Sequence, residues 1–117
     1  EDKDCKVLVM GDMNDDPIDK SMSEALRGKS NINEVGEDDM YNPWYNVLAK
    51  EGAGTLQYQG SWNLFDQILL SKNLLNTNGS KDYSLLKYWT NQIFKRVWLD
   101  GFSDHLPVVV YLVKEKQ

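Results

Sequence analysis

The longest uninterrupted apolar run in the chain is Leu106–Val113, eight residues with a proline in second place. A run of that length makes a strand and falls well short of the roughly 18 apolar residues a membrane span needs. Lys6–Met10 is a second such run, apolar and β-branched, and it ends at Gly11 as a buried strand feeding a loop would. Helical spacing is clearest at Trp44, Val47 and Leu48. That segment follows Asn42-Pro43, an N-cap with proline at the first helical position, and Gly52 stops it.

The remaining punctuation predicts mostly strands. Ser21–Leu26 fits two helical turns ended by Gly28, and Lys29–Asp39 reads as an acidic surface loop. Thr55–Tyr58 and Asn63–Leu70 flank a turn centred on Gly60, which predicts a β-hairpin. Ser71 is placed to cap a short turn through Leu75, and Asn76–Lys81 is turn-rich. Ser84–Trp89 and Phe94–Leu99 are expected strands, Gly101–His105 a loop, and Pro107–Val113 the last strand. The order is one strand, two helices, then four or five strands. That is an α/β or α+β chain whose sheet is backed by helices.

Composition narrows the class without naming a function. With 117 residues, 41% hydrophobic and 26% charged, the chain amounts to one modest globular unit. A net charge of −5, with acidic residues gathered at Glu1–Asp4, Asp12–Asp19 and Glu34–Asp39, does not favour a nucleic-acid partner, although bound cations reverse local charge. The one cysteine, Cys5, excludes an internal disulfide and any Cys-rich metal site, and is read as a core or edge residue without chemistry.

Three places could carry chemistry. Gly11-Asp12-Met13-Asn14 stands where the first strand ends, the position from which α/β sheets present ligand-binding side chains. Asp12 and Asn14, two apart, could share a face of extended backbone, one offering an anionic oxygen and the other an amide; the same residues also make ordinary turns. An EF-hand is excluded, because Pro17 takes the glycine position and Ser23 that of the bidentate glutamate. Ser103-Asp104-His105-Leu106-Pro107 holds the sole histidine, able to exchange a proton, beside a hard-cation ligand; a capped turn is the competing reading. Asp66 shares a strand face with Leu64 and Ile68, where a carboxylate needs a partner. That partner is read as His105, unless the face is exposed.

Taken together, VLVMGDMND, NLFDQILLS and GFSDHLPVVVYL, in that order, resemble the three C-terminal motifs of the endonuclease/exonuclease/phosphatase superfamily. GTLQYQGSWNLFDQILLS is most similar to its secreted or envelope-associated bacterial branch. The resemblance implies half of a two-sheet α/β sandwich, one mixed or mostly antiparallel sheet flanked by helices, over residues 1–117 as a single partial domain. It implies a Mg²⁺- or Mn²⁺-dependent phosphoester hydrolase of phosphodiesterase, nuclease or phosphatase type. Asp12 would bind or orient the attacking water, directly or through the metal. Asn14 would hydrogen-bond the scissile phosphate. Asp104 would serve the metal or water site, and His105, oriented by Asp66, would contact a phosphoryl oxygen.

The family's first half supplies a metal-binding glutamate and another asparagine, which no segment ahead of Lys6 provides. These residues are therefore expected to hold half a site, poor in turnover, with an apolar sheet face covered by the other half or by a second copy. A longer segment is expected between Ile93 and Gly101. Trp44, Trp62, Trp89 and Trp98 are expected in the core, with Tyr58 and Trp62 as possible cleft residues. A non-catalytic interaction module on the same fold is the alternative. A carbohydrate- or peptide-binding β-domain would rest on the aromatics alone. The motifs leave the phosphoester's identity open.

Overall fold

The computed structural model describes residues 5–94 and 105–116. Its main sheet has four strands in the order β1, β6, β3, β2: Leu8–Asp12 (β1), Asp66–Ser71 (β6), Met40–Tyr41 (β3) and Gly28–Lys29 (β2). The β1–β6 and β6–β3 pairs are antiparallel and β3–β2 is parallel, so the sheet is mixed. Helix α1, Trp44–Glu51, follows β3. A hairpin, Leu56–Tyr58 (β4) with Ser61–Asn63 (β5), leads into β6, and an antiparallel ribbon, Lys87–Ile93 (β7) with Val108–Val113 (β8), completes the fold. This is an α+β sandwich. No helix among the described residues is long and apolar enough to cross a membrane.

Strand β6 is the centre of the molecule. Gln67, Ile68, Leu69 and Leu70 are all buried, because both faces of this strand are covered. Leu70 packs with Val35, Leu74 and Leu75, and with Val110 and Leu112 of β8. A second cluster joins Trp44 to Leu64, Ile93 and Leu106, with Val47, Leu48 and Val108 around them, and Val110 touches both clusters. Tyr41 and Tyr88 join β3 to the ribbon edge to face, 5.6 Å between ring centres, and burial pushes both phenols up.

Helix α1 starts and stops on the expected signals. The Asn42 side chain accepts the Trp44 N–H at 3.0 Å, and Gly52 takes the left-handed conformation that ends the helix, at φ 64°. Other expectations are corrected. The first strand is not buried: it is a sheet edge, and Leu8 and Met10, on one face of it, are 37% and 62% exposed because little packs over that face. Ser21–Leu26 forms one wide turn closed by Leu26 N–H on the Ser21 carbonyl, and Gly28 opens β2 instead of ending a helix. The 29–39 segment is no plain surface loop, since Val35 and Asp39 are buried and Ile32–Glu34 is a 3₁₀ turn.

The hairpin's second strand is Ser61–Asn63, and β6 leaves it for the main sheet. Ser71 does not cap the following turn but bonds Asn73, and β7 starts at Lys87, not Ser84. Trp44 is core, whereas Trp62 and Trp89 are 41% and 61% exposed. Trp89 sits at an irregularity in the β7–β8 register, which turns it out against Tyr111. Cys5 is exposed. Trp98, residues 95–99 of the expected Phe94–Leu99 strand, the Gly101–Asp104 loop and the segment expected to be longer lie outside the described residues.

Two buried details invite tests. Gly54 lies so close to the next strand that a Cβ there would stand 2.5 Å from the Asn63 carbonyl oxygen. Gly54→Ala should therefore destabilise by about 1–3 kcal/mol in urea unfolding, the usual scale for overpacking. Asp39 accepts the Gly36 N–H at 2.8 Å and Arg27 Nε at 2.7 Å, and these bonds hold its carboxyl below the usual range. A depressed carboxylate stabilises the fold above its unfolded pKa and stops doing so as pH falls through its folded value. The stability gap between wild type and Asp39→Ala should accordingly be full at pH 7 and close in acid.

Candidate active site

The β1–β6 register decides where the first carboxylates go. Asp12 ends β1 and Asp66 begins β6, and the two are direct cross-strand partners. Like charges so placed repel. His105, just ahead of β8, lies between the two carboxylates. Its Nδ1 is 2.6 Å from Asp66 Oδ2, and its Nε2 is 3.8 Å from Asp12 Oδ2. The Asp66 and His105 side chains are mostly sheltered, at 20% and 24% exposed, while that of Asp12 is 42% exposed. The three border a depression of about 350 Å³ whose other walls include Met10, Leu106 and Val108.

The loop after β1 is tightly held. Asp12 Oδ1 accepts the Asn14 N–H at 3.0 Å, and Asn14 adopts a left-handed φ of 56°, which asparagine tolerates better than most residues. Asp12 and Asn14 thus share a turn and not one face of extended backbone, and Asn14 is exposed. Met13 N–H reaches the Phe65 carbonyl at 2.8 Å, continuing the ladder past Asp12. Beneath it, fully buried Gln67 donates to the carbonyls of Asp15 (2.7 Å) and Leu64 (2.8 Å) and accepts from Asn42 Nδ2 (2.8 Å). Asp16 accepts the Leu64 N–H at 2.7 Å; burial, with Asp19 and Asp15 nearby, still pushes its carboxyl up.

Sequence reasoning passed over Thr55, which is fully buried. Its hydroxyl donates to Asp66 Oδ2 at 2.7 Å, and its carbonyl accepts the Leu106 N–H at 2.7 Å. A polar residue straight after Gly54 was the available signal, but turns contain many such residues. Asp104 lies outside the described residues. So does the side chain of Tyr58. Trp62 is partly exposed on the hairpin, paired in register with Gln57, and does not border the depression.

One oxygen or nitrogen from each of Asp12, Asp66 and His105 lies within 4.8 Å of the others, a spacing compatible with a cation. Asp66 Oδ2 is already engaged by Thr55 and His105, so Asp12 is the described carboxylate better placed to ligate. One such carboxylate, completed by water and substrate oxygens, fits a hard divalent ion. The donor set is therefore compatible with Mg²⁺ or Mn²⁺.

Comparison with known families gives a match to the model of the endonuclease/exonuclease/phosphatase family over residues 1–100. No curated protein and no solved structure matches the chain. The matched stretch contains Asp12, Asn14, Thr55 and Asp66 and stops ahead of His105, which the fold itself brings to them. By that match, the chain belongs to the endonuclease/exonuclease/phosphatase family, whose members are in general phosphoester hydrolases.

Proposed function

We propose that these residues form part of the active site of a metal-dependent phosphoester hydrolase that works by in-line attack of water on phosphorus. The observation that carries this reading is the Asp66–His105–Asp12 arrangement at one rim, with 2.6 Å and 3.8 Å separations. Asp66 accepts the Nδ1 proton and so sets the plane of the imidazole ring. The imidazolium form then has a second proton, on Nε2, to offer a phosphoryl oxygen as negative charge builds there. Asp12, exposed and opposite, orients the attacking water and takes its proton. Asn14 on the adjoining turn offers an amide N–H to the phosphate. Asp104 would add an oxygen donor next to His105, a role that rests on the family resemblance.

A bound Mg²⁺ or Mn²⁺ would neutralise phosphate charge and favour deprotonation of the nucleophile. Asp12 would hold it among the described residues. The acidic chain makes a small phosphoester at least as suitable a substrate as DNA.

The test is hydrolysis of bis(4-nitrophenyl) phosphate by the native polypeptide that contains these residues. Release should require Mg²⁺ or Mn²⁺, stop on chelation and resume on metal addition. Asp66→Asn should lower turnover by about 10²–10⁴-fold, approaching the loss of the histidine itself, because an amide in place of the carboxylate can hold the ring in the wrong tautomer. Turnover indifferent to both chelator and substitution would refute the proposal.

A further inference from the structure

We infer that Thr55 is a positioning residue for the Asp66–His105 pair, acting through its hydroxyl; the inference rests on the hydrolase reading above for its kinetic consequence only. Thr55 touches both arms of the pair. Its Oγ1 donates to Asp66 Oδ2 at 2.7 Å, the same oxygen that His105 Nδ1 approaches at 2.6 Å. Its carbonyl accepts the N–H of Leu106, the residue directly after His105. Asp66 N–H lies 3.4 Å from the same hydroxyl, and Thr55 N–H donates to the Asn63 carbonyl at 2.9 Å.

Thr55 is fully buried and the Asp66 side chain only 20% exposed, so water competes little at the hydroxyl end of this bond. A carboxylate held by a single donor can swing about its own bond. Two donors on one oxygen leave it one orientation, and the ring that shares that oxygen inherits it. Gly54 is part of the device, since its lack of a side chain lets the strand press against Asn63 and brings Thr55 within reach. Position on the hairpin is thereby passed to Asp66 by the hydroxyl and to the His105 segment by the carbonyl.

Thr55→Val keeps the shape and the carbonyl bond and removes only the hydroxyl. It should lower kcat by about 10-fold to 100-fold, the equivalent of one bond to a charged acceptor, with KM little changed. Thr55→Ser should restore most of the rate. In an Asp66→Asn background Thr55→Val should cost little more, because the route runs through Asp66.

A readout independent of turnover is the ring ¹⁵N and Nδ1–H spectrum of His105, the sole histidine in the chain. Its Nδ1–H resonance should shift and exchange faster in Thr55→Val, and return in Thr55→Ser. A folded Thr55→Val with wild-type spectrum and wild-type kcat would overturn the inference. So would a Thr55→Ser as impaired as valine, which would make the methyl and not the hydroxyl responsible. If the wild type hydrolyses nothing but the spectral contrast holds, the hydrolase reading fails and the positioning role stands.

Discussion

Alanine at Asp12 or at His105 should each lower phosphoester turnover by about 10²–10⁴-fold, the range that general acid–base groups contribute, or about 2.7–5.4 kcal/mol of barrier. The thermal midpoint should move by only a few degrees. Asp12 is 42% exposed and directly opposes Asp66, so its removal relieves a repulsion while giving up one turn-forming bond to Asn14. His105 is a quarter exposed and fills no core position. Loss of rate without loss of fold separates chemistry from structure here. His105→Gln, which keeps a donor but cannot become a cation, should recover less than half of the logarithmic loss. Rates unchanged in both alanine variants would remove these residues from the mechanism.

Trp44→Ala should cost about 3–5 kcal/mol in urea unfolding, the usual effect of truncating a buried aromatic. That is a third or more of the stability of many domains this size. Trp44 is 0% exposed and anchors the cluster of Leu64, Ile93 and Leu106. Leu106 adjoins His105, so the cavity would open immediately behind the site. Trp44→Phe should recover most of the loss, since a ring remains and the indole N–H has no acceptor among the described residues. Equal losses in the two variants would mean that a phenyl ring does not fill the space the indole leaves.

The candidate site was legible in the sequence because its residues are conspicuous among their neighbours. An aspartate beside aliphatics, in Asn63–Leu70, demands a partner, and one histidine was available to supply it; the 2.6 Å contact is that pairing. Helix α1 was equally plain, since Asn42, the Trp44/Val47/Leu48 stripe and Gly52 are all local signals. Reading failed where the answer depended on neighbours. Lys6–Met10 has the composition of a buried strand, yet only the strand order shows that β1 is an edge. The turn joining Asp12 to Asn14 needed the side chain's own acceptor, which composition does not orient.

What the amino-acid order determined alone is therefore short-range: which segments extend, where α1 begins and ends, and which polar residues stand out against apolar ones. Strand and helix periodicities act over a few residues and are written in the chain. Tertiary structure decided that Asp12 faces Asp66 in register, that β8 delivers His105 between them, and that buried Thr55 and Gln67 hold both sides in place. Those contacts join residues up to 93 positions apart. Their energies come from shared burial and shared hydrogen bonds, which exist only once the strands have met.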